Sequence, residues 1–238
     1  MADISVLLCA YKEPPDQFDL AVRSVVTQTV VPKQLVVVDD SGELRYRDLC
    51  EDIKRSMLVH QGITLVYIGN KSNLGLVHSL NLGLREVATE YVARMDADDV
   101  SLPFRFQKQA ELLDAGYDLV GSGVTLFTAS GQVRDIMYPS SRIGVLYSFI
   151  RNNPIAHPAA MFRKNMVDRL HGYRSVDYAE DLDLWMRAYL SGCRITNSRS
   201  ILLLRRIHED QLSSKYTHVQ ASNAKTLRRN FLRALFTA

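Results

Sequence analysis

The hydrophobic and polar positions of the first hundred residues form blocks that predict strands and helices in alternation. Short apolar runs predict buried strands at 4–9, 34–38, 63–68 and 91–95. Segments with an apolar face of helical period lie between these strands, at about 16–29, 43–57 and 76–88. Strands that alternate with helices of this length form a mostly parallel sheet with right-handed crossovers. The first half is therefore predicted to be an α/β unit of the nucleotide-binding type.

The pattern becomes less regular after residue 99 and predicts a smaller α+β half. Helices are predicted at about 103–115, 143–150 and 179–190, and extended segments at 119–124, 159–163 and 201–207. A last helix is predicted in the segment 215–238. No repeat or Pro/Gly-rich linker separates the halves, so we expect a single domain with one shared core.

Three carboxylates, Asp96, Asp98 and Asp99, stand where the strand at 91–95 ends. Carboxylates are costly to desolvate unless they are paired or metal-bound, and ligands bind at the carboxyl ends of strands in open α/β sheets. In an extended segment Asp96 and Asp98 share one face about 6–7 Å apart, so they can hold one hard cation that carries phosphate. The alternative is an Asp-rich turn before a helix that begins at 101–103.

Composition sets broad limits on the location and partners of the protein. With 238 residues and 47% hydrophobic content, the chain can bury a full core. Its three cysteines, Cys9, Cys50 and Cys193, are widely spaced, which indicates reduced thiols and a cytoplasmic location. No signal-type segment or apolar run of roughly 20 residues occurs, so we expect neither secretion nor a membrane span. The net charge of +3 is too small to suggest nucleic acid as a partner.

Basic charge is concentrated near the C-terminus. The segment 215–238 contains five Lys or Arg residues and no acidic residue. Leu227, Phe231 and Leu235 recur there at helical spacing, which is compatible with peripheral contact with an anionic membrane at the inner face of the cytoplasmic membrane. The alternative is a helix that packs one face on the domain and exposes the other to solvent.

Several short motifs occur in an order that is typical of one enzyme family. They lie at 6–11, 24–29, 36–41, 73–75, 81–84, 95–99, 157–158, 179–185, 208 and 211–213. Together they resemble the inverting nucleotide-sugar glycosyltransferases of family 2 with the GT-A fold, especially bacterial enzymes of surface-polysaccharide assembly. The resemblance covers residues 4 to about 214. It implies a nucleotide-sugar-binding half at 1–99 and an acceptor-binding half at 100–214, and the basic C-terminal helix predicted at 215–238 lies beyond it.

The resemblance implies a donor site at the strand ends, made by Tyr11, Asp39, Asp40, Asn73, Gly75, Asp96 and Ala97. Tyr11 would stack on a pyrimidine ring, and Asp40 would accept a hydrogen bond from the base. Asn73 and Gly75 would place free N–H groups against the diphosphate or ribose. The alternatives are that Tyr11 is an ordinary tyrosine at the domain rim and that Asp39 and Asp40 cap the next helix. For Asn73 and Gly75 the alternative is a turn that needs a left-handed backbone conformation. The family usually reads Asp-Asp-Gly-Ser where this chain has Asp-Asp-Ser-Gly at 39–42.

The resemblance also implies a metal site, a base and an acceptor pocket. It places Mn²⁺ or Mg²⁺ on Asp98, with Asp96 and His208 as further ligands, although a surface histidine is the alternative for His208. Asp181 matches the family's catalytic base. The acceptor pocket is expected at Glu180 and Trp185. The alternatives here are acids that favour the helix N-terminus and a tryptophan that packs in the core.

The resemblance implies a single inverting displacement. It moves a hexose or N-acetylhexosamine from a nucleoside-diphosphate sugar, predicted to be a UDP-sugar, to a glycan or lipid-linked oligosaccharide. A sugar-phosphate nucleotidyltransferase would carry a Gly-rich loop with Arg and Lys after the first strand, and residues 10–14 offer none. A non-catalytic nucleotide-sugar-binding module would have no reason to keep Asp181 together with Asp96 and Asp98.

Overall fold

The computed structural model of the chain describes residues 3–208 and 217–237. Its first four strands are β1 (Ile4–Ala10), β2 (Gln34–Asp39), β3 (Thr64–Gly69) and β4 (Tyr91–Asp96). They pair in parallel in the order β3-β2-β1-β4. Each strand lies within one residue of its predicted position. Strands β1, β2 and β4 are buried on both faces and are therefore apolar along most of their length, whereas β3, at the edge of the sheet, is only partly buried.

Helices connect these strands as predicted, with one difference. They are α1 (Pro15–Val26), α2 (Arg47–Ile53), α3 (Val59–Gln61) and α4 (Leu76–Glu86), and a π-helical turn, Lys54–Leu58, joins α2 to α3. The helix predicted at 43–57 begins later because Gly42 and Leu44 have φ angles of 79° and 53°, which a right-handed helix cannot include.

The second half extends the same sheet with mixed pairing. Its strands are β5 (Val100–Ser101), β6 (Leu119–Thr128), β7 (Gly131–Ile136), β8 (Met161–Arg163) and β9 (Ile195–Arg206). The sheet continues from β4 as β8-β6-β9-β5, and β7 pairs with β6. Strand β8 is antiparallel to both β4 and β6, whereas β6 and β9 are parallel. The predicted fold class, a mostly parallel α/β sheet with a smaller α+β half, is confirmed.

The remaining helices are α5 (Arg105–Asp114), α6 (Arg142–Arg151), α7 (Lys164–Arg169), α8 (Glu180–Leu190) and α9 (Thr217–Thr237), with a 3-10 turn at His157–Ala159. The helix predicted at about 103–115 is observed as α5, but it begins at Arg105 and not at 101–103. Val100 and Ser101 instead pair with Leu204 and Leu203 of β9. The acidic turn is therefore held between two strands.

Helices cover both faces of the sheet, and the sheet divides the apolar core into two clusters. One cluster includes Phe18 of α1 and Phe106 of α5. The other lies beneath α4, α6, α8 and α9 and includes Phe149 and Trp185. This three-layer arrangement leaves the carboxyl ends of β1, β2 and β4 at one edge, where the candidate site lies.

The apolar side of α9 packs on the domain and is not free to contact a membrane. Phe231 is buried, and its ring centroid lies 5.1 Å from that of Phe149 in α6. Leu227 and Leu235 are partly buried in the same cluster. The prediction that these three residues form a membrane-facing stripe is therefore wrong, and the packing alternative applies. Among the described helices, none combines the length and the apolarity needed to cross a bilayer.

Candidate functional site

The acidic cluster at the end of β4 brings three carboxylates together. One ligand oxygen from each of Asp96, Asp98 and Asp99 lies within 4.8 Å of the others. Burial, together with the charge of Asp96, raises the pKa of Asp98 to about 6. A bound cation would offset both the burial of the Asp98 carboxylate and its repulsion by Asp96. The clustering of Asp96 and Asp98 is as the sequence predicted.

Strand β9 completes the cluster from the second half of the chain. The backbone N–H of Arg206 donates to Asp99 Oδ1 at 2.8 Å, and Arg206 Nε donates to the carbonyl of Asp98 at 3.0 Å. His208 follows β9, and its Nε2 lies 3.4 Å from Asp98 Oδ2. The predicted proximity of His208 to the acidic cluster is therefore observed. The predicted motif at 211–213 lies outside the described residues.

The buried, positively charged side chain of Arg94 lies next to this cluster, and the sequence did not predict it. The Arg94 side chain is 3% exposed, and its guanidinium lies 2.5 Å from Asp96 Oδ1. Arg94 and Asp96 are two residues apart on β4, so their side chains leave the same face of the sheet. An arginine inside an otherwise apolar strand, two residues before a carboxylate, is the sequence signal that could have revealed the pair.

A cavity of about 850 Å³ opens at this edge of the sheet. Six of the predicted site residues line it: Tyr11, Asp40, Asn73, Gly75, Asp96 and Glu180. The cavity wall also includes residues that were not predicted, among them His78 and Arg85 of α4, Tyr173 and Tyr178. These come together because the segment before α8 folds against α4, and no local pattern reveals such a contact.

Asp40 organises the loop between β3 and α4. Its Oδ1 accepts from the N–H of Leu74 at 2.9 Å and from Asn70 Nδ2 at 2.7 Å, and its Oδ2 accepts from the N–H of Gly75 at 2.8 Å. Asn73 Oδ1 also accepts from Gly75, whose φ of 87° suits glycine. The turn chemistry left open by the sequence is thus present, and the same loop lines the cavity.

Two predicted donor-binding residues are corrected because both side chains are buried. Asp39 is 0% exposed, and its carboxylate accepts from the N–H groups of Ser41 and Tyr46 and from the Tyr67 hydroxyl. It holds the turn that precedes α2, but no side chain caps α2 itself, so the capping alternative is not observed for Asp39. The methyl group of Ala97 packs in the core at 2% exposure.

Glu180 and Asp181 begin α8, and Asp181, unlike Glu180, is not among the described residues that line the cavity. Asp181 Oδ2 accepts from Asn153 Nδ2 at 2.6 Å, and Oδ1 accepts from the N–H of Leu182 at 2.7 Å. Burial raises the pKa of Asp181, and the two donors and Arg94 oppose that rise. Glu180 lines the cavity, and burial and its neighbour Asp181 raise its pKa to about 7. Asp181 is therefore a carboxylate held in place by two hydrogen bonds, and Glu180 beside it is protonated more easily than an ordinary glutamate.

Trp185 does not reach the predicted acceptor pocket. Its side chain is 0% exposed, and its ring centroid lies 6.1 Å from those of His157 and Phe162. His157 is itself buried and shares a hydrogen bond with the Tyr173 hydroxyl at 3.0 Å. The acceptor-binding prediction for Trp185 is corrected in favour of core packing.

Comparison with known proteins decides the family. The model described as "Glycosyl transferase family 2" matches residues 5–170. The chain belongs to this family. It is 30% identical over 213 residues to the O-antigen biosynthesis glycosyltransferase WbnJ of Escherichia coli, which covers 86% of this chain and 80% of that protein.

The chain is also similar to a second E. coli glycosyltransferase in sequence and to an archaeal mannosyltransferase in structure. The chain is 28% identical over 203 residues to the E. coli UDP-Gal:alpha-D-GlcNAc-diphosphoundecaprenol beta-1,3-galactosyltransferase, with 84% of this chain and 72% of that protein covered. The mannosyltransferase PcManGT of Pyrobaculum calidifontis, solved with GDP-Man and Mn²⁺, superposes with a TM-score of 0.67 at 15% identity, covering 100% of this chain and 76% of that chain. The predicted GT-A fold is confirmed.

Proposed function

We propose that this glycosyltransferase is inverting and metal-dependent. It moves a hexose or N-acetylhexosamine from a nucleoside-diphosphate sugar, a UDP-sugar in our proposal, to a glycan or lipid-linked oligosaccharide of a surface polysaccharide or O-antigen. One observation carries the proposal: a single cavity is lined by Tyr11 and Asp40 at the ends of β1 and β2, by Asp96 of the acidic cluster and by Glu180 of α8. Residues 1–99 would bind the donor, and residues 100–214 the acceptor.

The acidic cluster fits a hard divalent cation. It offers carboxylate oxygens from Asp96, Asp98 and Asp99 and an imidazole from His208, a set suited to Mn²⁺. Asp99 Oδ2 is buried with no hydrogen-bond partner among the described residues, as expected of an oxygen that faces a cation. Asp98 and Asp96 would hold the ion, with His208 beside them. Mn²⁺ or Mg²⁺ would neutralise the charge on the leaving diphosphate.

Asp181 is the proposed base. It would take the proton of the acceptor hydroxyl while that oxygen attacks the anomeric carbon from the face opposite the diphosphate, which inverts the configuration. Asn153 and the N–H of Leu182 fix the carboxylate and stabilise its ionised form. Glu180 would bind the acceptor from the cavity wall.

The similar proteins support the finer parts of the proposal. WbnJ takes part in O-antigen biosynthesis, and the E. coli galactosyltransferase uses UDP-Gal and an acceptor on diphosphoundecaprenol. The Pyrobaculum enzyme was solved with a nucleotide-sugar and Mn²⁺. We therefore propose that the enzyme works on a lipid-linked acceptor at the inner face of the cytoplasmic membrane.

A donor screen tests the proposed function. The full chain is incubated with UDP-glucose, UDP-galactose, their N-acetylamino forms and GDP-mannose, with Mn²⁺, with Mg²⁺ or with chelator, and nucleoside-diphosphate release is measured. We expect release from at least one UDP-sugar that requires the metal. Release of pyrophosphate in the reaction of a sugar phosphate with a nucleoside triphosphate would indicate a nucleotidyltransferase instead, and binding without turnover across varied acceptors would indicate a binding module.

A further inference from the structure

Helix α6 carries a row of exposed apolar side chains. Ile143, Tyr147 and Ile150 are 82%, 55% and 41% exposed. Their spacing of four and three residues places them on one face, opposite the buried Val145 and Phe149. Single exposed apolar residues are common on soluble proteins, but an aligned row of three marks an interaction surface. The amino-acid pattern of α6 alone does not show this row, because Val145, Phe149 and the exposed residues are all apolar.

The charged side chains of α6 and of the helix that packs against it are all basic. Helix α6 contains Arg142 and Arg151 and no acidic residue. Helix α9 packs against α6, where Arg228 Nε donates to the carbonyl of Phe149 at 3.1 Å. It contributes the exposed Arg229 and Arg233 and likewise has no acidic residue. The two helices therefore combine exposed apolar side chains with basic residues and carry no acidic residue of their own.

We propose that the outer face of α6, with the basic residues of α9, docks the protein on an anionic phospholipid bilayer. The isoleucine side chains would enter the boundary between headgroups and acyl chains, and the arginines would pair with lipid phosphates. The arginine side chains that flank the row can cover apolar surface while their charges remain at the headgroups. This inference rests on the lipid-linked acceptor of the proposed function, because it places the enzyme at the surface where such an acceptor lies.

Vesicle co-sedimentation of the full chain tests the apolar part of this surface. We expect binding to vesicles of equal parts phosphatidylglycerol and phosphatidylcholine, and little binding to phosphatidylcholine alone. The double variant Ile143→Ser/Ile150→Ser should bind at least about tenfold more weakly, since both side chains lose their apolar surface. Val59→Ser is the matched control, because Val59 is also an exposed aliphatic residue, on α3. It should bind like the unmodified chain.

A charge variant tests the electrostatic part. Arg229→Gln/Arg233→Gln should also weaken binding by about tenfold or more, and raising the salt from about 0.1 M to about 0.5 M should weaken binding of the unmodified chain. Arg55→Gln is the control, because Arg55 is an exposed arginine that is paired with Asp52. Thermal unfolding of every variant checks that it is folded.

Three results would overturn the docking proposal: no binding of the unmodified chain to anionic vesicles, unchanged binding of the isoleucine variant, or a dimer that this variant converts to a monomer. The last result would assign the row to a second copy of the chain. Calorimetry of UDP with Mn²⁺ is run on the same samples. Failure of UDP binding with intact vesicle binding would count against the proposed function alone.

Discussion

Replacing Asn153 with alanine removes one of the two described donors that hold the Asp181 carboxylate. Asn153 Nδ2 donates to Asp181 Oδ2 at 2.6 Å, and the remaining donor is the backbone N–H of Leu182, at 2.7 Å from Oδ1. Burial already raises the pKa of Asp181. A donor to the ionised form opposes that rise, so its loss raises the pKa of Asp181 further.

The size of the effect follows from the strength of a hydrogen bond to a charged group, about 1.5–3 kcal/mol. Because about 1.4 kcal/mol corresponds to a factor of ten, the ionised form loses about tenfold to hundredfold relative to the protonated form. Turnover of Asn153→Ala should fall by up to this factor on the acidic side of the pH profile. The loss should narrow as the pH rises, because the carboxylate then ionises again.

The assay is the pH dependence of kcat/KM with a donor and acceptor that support turnover. Asn152→Ala is the matched control, because Asn152 is the exposed neighbour and its hydrogen bond to the Ser148 carbonyl uses the backbone N–H. Asn153 Oδ1 also accepts from the N–H of Ile155 at 3.3 Å, so thermal unfolding is measured on both variants. If the acidic limb of folded Asn153→Ala coincides with that of the unmodified enzyme, Asp181 is not the titrating base.

Three further experiments give distinct outcomes. Asp98→Asn should abolish metal-dependent turnover and weaken donor binding, because an amide is a poor ligand for a hard cation; full activity in chelator would refute the metal site. Asp181→Asn should lower turnover by roughly a hundredfold or more with little change in calorimetric donor affinity, while Glu180→Gln is milder; the reverse order would make Glu180 the base. Phe231→Ala should lower the free energy of unfolding, measured with urea, by about 3–5 kcal/mol, because Phe231 is buried. Phe236→Ala should change it by no more than about 0.5 kcal/mol, because Phe236 is exposed, and equal losses would contradict the packing of α9.

The parallel strands could be predicted because each of them consists mainly of consecutive apolar residues. Strand β9 shows the opposite case. It begins at Ile195, before the predicted 201, because the buried polar residues Thr196 and Asn197 find acceptors in the carbonyls of Ser140, Pro139 and Pro154. A polar residue that is satisfied by a distant loop looks exposed in the sequence. The exposed strand β7 gave no apolar pattern at all.

Motif order located most of the candidate site, but it did not separate side chains that face the cavity from those that support it. Asp39 and Asp40 are adjacent, yet only Asp40 lines the cavity. Trp185 follows Asp181 by one helical turn and still points into the core. The sequence likewise shows that α9 has an apolar face but not what that face contacts. Tertiary packing decides this, and Phe231 contacts Phe149 of the domain.

The anomeric configuration of the product tests the central claim most directly. With the UDP-sugar and acceptor that support turnover, proton NMR of the first product formed reports whether the new glycosidic bond has the configuration of the donor or the opposite one. We predict inversion, so an α-linked donor gives a β-linked product through a single displacement assisted by Asp181. A product that retains the α configuration would contradict the inverting mechanism and the role given to Asp181.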